Sequence, residues 1–166
     1  MTHVPAPDPF TVFGVPRTLD LDARELERRY LRLSRECHPD HLRTQDANDC
    51  LAVLQRAAEV NDAWKTLRDP WTRAKALLEA ESPGVLDANK KLDPAFLADA
   101  LELAEEVAFV RPDHVPALRA RLQQALEADF AALRADVGRA DLPAAARRVH
   151  GAHYHKKALA DLEHKA

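Results

Sequence analysis

With 166 residues, 46% of them apolar, 31% charged and only four glycine, the chain has the composition of a helix-rich soluble protein with one or two small cores. Its formal net charge of −3 is spread evenly, with 12 Lys+Arg against 13 Asp+Glu in residues 1–80 and 12 against 14 in residues 81–166, which argues against general nucleic-acid binding. No apolar run approaches the roughly 20 residues that cross a bilayer, and residues 1–10 lack a basic-then-apolar signal pattern, so a bacterial-type cytoplasmic location is expected.

The first predicted element is a short helix over residues 8–13, anchored by Phe10 and Phe13 and ended by Gly14 and Pro16. A longer helix enters near Asp22, which can cap it while Glu25 reaches back as the capping-box partner and Leu21 packs on Leu26. Leu26, Tyr30, Leu33 and Cys37 recur at i, i+4, i+7 and i+11 and give this helix one apolar face. Arg24, Arg28, Arg32 and Arg35 fall on its other faces. Pro39 disfavours helical geometry for His38 and fixes its own φ, so His38-Pro39-Asp40 is expected on a stiff, exposed loop. A second long helix runs from near Asp46 to Leu67 through Val53, Ala57, Val60 and Trp64. Two long helices joined by a short loop imply an antiparallel hairpin. Pro70 stops the second, and residues 71–80 form a closing helix through Ala74, Leu77 and Leu78.

Residues 81–92 hold Ser82-Pro83-Gly84 and little periodicity, and are expected to be a linker between domains at 1–80 and 93–166. Asp93-Pro94 then starts a helix reaching about Phe109, with Phe96, Ala100, Leu103 and Val107 as its core stripe. After Pro112 a long helix over about residues 113–137 carries Val115, Leu118, Leu122, Leu126, Leu133 and Val137. Gly138 closes it, Asp141 caps the next, and the last helix buries Ala145, Val149, Ala152 and Leu159. The second domain reads as a three-helix bundle, and the whole chain as all-α.

Little in the chain points to chemistry of its own. Cys37 and Cys50 are too few and too far apart for a metal or cluster site, and Cys37 reads as a small core residue. A hydrolytic set of Cys37, His38 and Asp40 lacks any oxyanion loop. His150, His153 and His155 are not spaced to share one helix face, so no metal and no cofactor are expected. The arginines fit either a solvated helix or a surface that steers the chain onto an acidic partner. Leu97 and Leu101 lie off the core stripe, beside Glu102 and Glu105, and fit either a wide buried face or a partner surface. Tyr154 is expected to point nearly away from the core of the last helix, where an aromatic can anchor an interface.

Several segments carry a family resemblance. Tyr30 to Asp40, with His38-Pro39-Asp40, resembles the J-domain of DnaJ-type co-chaperones. Phe10-Thr11-Val12-Phe13-Gly14-Val15-Pro16, Val60-Asn61-Asp62-Ala63-Trp64 and Arg73-Ala74 to Leu77-Leu78 are similar to the HscB branch. Phe96-Leu97, Leu101-Glu102-Leu103 and Glu105-Glu106 extend that similarity into the second domain. The resemblance implies an adaptor without enzymatic activity of its own. Its J-domain would dock on a DnaK-type chaperone, HscA, through His38, Pro39, Asp40, Arg24, Arg28, Arg29, Arg32 and Arg35 and stimulate ATP hydrolysis there. Its C-terminal bundle would carry the iron-sulfur scaffold protein IscU through Leu97, Leu101, Glu102, Glu105 and Tyr154. A general J-protein for unfolded clients is the alternative, and the missing Gly/Phe-rich linker and CxxC repeats argue against it. The chain departs from the family pattern at Cys37, where an aromatic is usual, at His41, where lysine is usual, at the small Ala98, and at Phe109, where an acidic residue is common. The N-terminal cysteine-rich zinc module of eukaryotic relatives is not expected in it.

Overall fold

A computed structural model describes residues 7–38 and 47–164. Among these residues the secondary structure is helical, and the chain falls into two compact units, Met1–Ala80 and Glu81–Ala166.

In the first unit α1, Pro9–Phe13, owes its start to Asp8. The Asp8 carboxylate accepts the Phe10 amide at 3.1 Å, the Thr11 hydroxyl at 2.9 Å and Arg17 Nε at 3.1 Å. Gly14, at φ 62°, closes the helix in the left-handed region that glycine enters freely. Partial burial pushes the Asp8 carboxyl upward, but these hydrogen bonds and the Arg17 charge outweigh it and hold the group below its ordinary 3.8. The depressed folded-state value means that the cap's electrostatic stabilisation is complete above the unfolded pKa and is lost as pH falls through the lower folded one. Asp8→Ala is expected to cost about 1 kcal/mol at neutral pH. Thermal melts of the two proteins should converge below the folded Asp8 pKa.

α2, Ala23–Glu36, begins where Asp22 Oδ1 accepts the Glu25 amide at 2.7 Å. The reciprocal half of the expected capping box is replaced. Glu25 pairs with Arg28 at 2.8 Å and Arg29 at 3.0 Å, because a guanidinium is a stronger donor to a carboxylate than a neutral amide. Leu26 and Cys37 are buried, with Tyr30 and Leu33 half-buried on the same face. α3, Ala47–Arg68, brings Trp64 against them. The Trp64 ring stacks on Tyr30 at 4.7 Å and on Phe13 at 6.4 Å, while Tyr30 donates its hydroxyl to Asn61 at 2.9 Å. One indole therefore ties α1, α2 and α3 together.

α4, Pro70–Glu81, closes the unit with Ala74, Leu77 and Leu78 in the core beside Leu67. Arg73, one turn before Leu77, is also buried, which its charge does not anticipate. Its guanidinium donates to the carbonyls of Leu67 at 2.8 Å and Leu19 at 2.6 Å, pinning the loop before α2 onto the end of α3.

In the second unit, residues 81–92 are more than a connection. They hold α5, Val85–Ala88, with Val85 buried. The Leu86 carbonyl sits 2.9 Å from His150 Nε2, and Asn89 Oδ1 accepts from Arg147 at 3.2 Å. A four-residue helix is too short to leave a periodic signal, so the sequence reads there as a linker.

The bundle follows as α6, Pro94–Phe109, a 3-10 turn at Pro112–His114, α7, Val115–Gly138, and α8, Leu142–Glu163. Val107, Val115, Leu118, Leu122, Ala158 and Leu162 form its core cluster. The expected stripes bury Leu133, Ala145, Val149 and Ala152 as well, while Phe96, Ala100, Leu103, Leu126, Val137 and Leu159 are only half-buried. Asp136 is a buried acid at the α7–α8 corner, paired with Arg139 and with Arg148 at 3.1 Å. Its backbone carbonyl accepts the Asp141 amide at 2.9 Å, so one residue holds the turn by side chain and main chain.

Candidate functional site

Two surfaces stand out, one in each unit. On α2 the residues opposite the buried face are Arg24, Arg28, Leu31 and Arg35, all exposed. At about 100° per residue they fall within about 60° of one another, with Arg32 beside them. Arg28 leans on Glu25, and Arg32 lies 3.7 Å from Glu36, so both remain on the surface in exposed pairs. Leu31 is 46% exposed among the guanidiniums, an apolar contact that charge patterning alone did not single out.

Arg29, expected with the other arginines on this positive surface, sits elsewhere. Its Nη1 donates to the Gly14 carbonyl at 2.9 Å and the Phe13 carbonyl at 3.3 Å, and its Nε to Glu25. Half-buried, it fastens α2 to the turn after α1, because that turn leaves carbonyls facing the helix.

α2 ends at Glu36. Cys37 turns into the core and His38 is exposed, its backbone amide donating to the Arg35 carbonyl at 3.1 Å. The arginine face thus runs along α2 to His38. Pro39 and Asp40, with His41, lie outside the described residues.

In the second unit, α6 and α8 enclose an open apolar groove of about 410 Å³. Leu97, 40% exposed, and Leu101, 64% exposed, form one wall, and Tyr154 stands on the other. Three of the residues singled out from sequence therefore meet in one place. Tyr154 is half-buried rather than turned away from the core. Its ring meets the edge of Phe96 at 5.8 Å and 77°. The cause lies one turn back on α8, where Gly151 lets Phe96 lie over the helix. A Cβ at that position would stand 3.3 Å from Phe96 Cζ.

Glu102 and Glu105 are exposed on the next row of α6 and line its outer side with Ala98 and Phe109, the last of these 84% exposed. α6 carries Asp99, Glu102, Glu105 and Glu106 and no lysine or arginine. Of these, Glu106 is paired with Arg121. At the far wall of the groove, Lys157 Nζ donates to Asp161 at 2.8 Å. The result is an apolar slot beside a helix with excess negative charge.

The three histidines of α8 point to different partners. His150 meets Leu86, His155 Nδ1 lies 2.7 Å from Asp129, and the exposed His153 ring stands edge-on to Tyr154 at 6.0 Å. No cluster of three or more His, Cys, Asp or Glu able to hold a metal ion occurs among the described residues. No helix there is long and apolar enough to cross a membrane.

Comparison with known proteins places these surfaces in context. A family model described as DnaJ domain matches residues 8–76. The co-chaperone protein HscB homolog of Haemophilus influenzae is 38% identical over 102 residues, a match that covers 60% of this chain and spans 59% of that protein's length. Among solved structures, chaperone HscB from Vibrio cholerae superposes with a TM-score of 0.83 at 28% identity, over 95% of this chain and 96% of that one. Human co-chaperone protein HscB gives a TM-score of 0.85 over 98% of this chain and 84% of that one, a likeness of fold at 22% identity.

Proposed function

Since this chain belongs to the HscB family of J-domain proteins, we propose that it is a co-chaperone of iron-sulfur cluster assembly, binding the scaffold protein IscU and presenting it to the DnaK-type chaperone HscA. The first unit would dock on HscA through Arg24, Arg28, Arg32, Arg35 and the tripeptide His38, Pro39 and Asp40 and stimulate ATP hydrolysis there. The second would hold IscU at Leu97, Leu101, Glu102, Glu105 and Tyr154. The chain itself performs no chemistry in this reading, and the cluster is cargo on the scaffold.

The observation that carries the reading is the apolar groove beside an acidic helix. Leu97, Leu101 and Tyr154 surround a volume that no side chain of the unit fills, next to exposed Glu102 and Glu105. Apolar anchors within a charged rim are the anatomy of a protein interface. The arginine face of α2 supplies the opposite charge in the other unit, so an acidic partner and a basic partner are recognised by different parts of one chain.

The test is ATP turnover by purified HscA alone, with this chain, with IscU, and with both. Turnover with both is expected to exceed the sum of the separate stimulations, because the scaffold arrives already bound. Turnover that the chain leaves unchanged would sink the docking half, and failure of IscU to co-elute with the chain would sink the other.

A further inference from the structure

The groove between α6 and α8 is shaped by what is missing from it. Ala100, Ala104 and Ala158 line it where longer side chains would close the space between the helices, and Leu97, Leu101 and Tyr154 stand around them. Its volume of about 410 Å³ falls within the roughly 300–1,000 Å³ of sites that enclose a bound group.

We propose that the groove is a socket for one bulky apolar side chain of the scaffold, presented on a segment that also carries lysine or arginine. The inference rests on reading the second unit as the scaffold-binding part, and it assigns Ala104 and Ala158 as the residues that decide what fits. Apolar walls facing an open void lack partner atoms on one side, and an inserted side chain restores those dispersion contacts while releasing water that such walls hold poorly. The rim selects the flanking charge. Lys157 and Asp161 pair with each other at one wall, so the uncompensated charge is that of Glu102 and Glu105 on a helix without a single cation, and a basic segment is attracted and an acidic one repelled.

The test fills the socket. Ala104 is exposed at the open side of the groove, and leucine is a strong helix former, so Ala104→Leu leaves the fold intact, as circular dichroism and a thermal melt will show. With full-length chain and purified IscU, calorimetry is expected to give at least about tenfold weaker binding for Ala104→Leu. Ala104→Ser, which leaves the space open, is expected to bind within about twofold of wild type. Stimulation of HscA by Ala104→Leu without IscU should be unchanged. Unaltered binding of IscU by Ala104→Leu, or loss of binding by Ala104→Ser, would overturn the socket. A wild-type chain that sediments as a dimer and is split by Ala104→Leu would give the groove to a second copy and overturn it too. Wild-type chain that fails to bind IscU defeats the underlying reading before any variant is compared.

Discussion

Replacing His38 with glutamine is expected to abolish stimulation of HscA ATP hydrolysis, a loss of at least about thirtyfold, or roughly 2 kcal/mol of coupling, while IscU binding and the melting temperature stay at wild-type values. The fold is spared because His38 is exposed and because the contact that finishes α2 is made by its backbone amide to the Arg35 carbonyl, which glutamine retains. Stimulation is expected to be lost because the docking proposal places the imidazole at the end of the exposed face that begins at Arg24. Arg29→Ala makes the contrast. It removes the donor to the Phe13 and Gly14 carbonyls, so it is expected to lower the melting temperature. Any effect on turnover should follow the fraction folded. Stimulation by His38→Gln at wild-type level would sink the docking assignment.

Those two residues also mark where the sequence was legible. Periodicity and capping follow local rules, so the Asp22, Asp93 and Asp141 caps and the stripes through Leu26, Val60, Val107 and Leu118 could be read directly. Arg29, Arg73 and Asp136 could not. Each is a charged residue whose type points to solvent although it lies on or beside a buried stripe, and each is held inward by main-chain carbonyls or partner side chains brought close by tertiary structure. Tyr154 belongs with them, since its lean depends on Phe96 from α6 and on the missing side chain of Gly151. Within the candidate site, Leu97, Leu101, Glu102 and Glu105 were chosen because they lie off the core stripe and match a family pattern. Of the alanines that shape the groove, Ala100 read as a core position and Ala104 and Ala158 gave no signal, because a small residue between helices looks the same whether it is packed against a neighbour or left facing a gap.

Leu101→Ala is the substitution expected to hurt scaffold binding most. At 64% exposure the side chain contributes little to the folded unit, so its removal should change the melting temperature only slightly. Burying the part still exposed is worth about 1–2 kcal/mol, which converts to roughly five- to thirtyfold in affinity. Leu97, at 40%, has less area left to bury and should lose less. Glu102→Lys and Glu105→Lys should act differently, slowing association and reversing its response to salt, because an exposed rim charge steers encounter more than it holds the complex. The pattern separates a docking surface from a merely exposed helix. A surface predicts that Leu101→Ala raises the dissociation rate and spares HscA stimulation in the absence of IscU, the mirror image of His38→Gln. Equal affinity of Leu101→Ala and wild type for IscU would remove the groove from the interface. Loss of both activities in either single variant would mean that the two surfaces do not act separately.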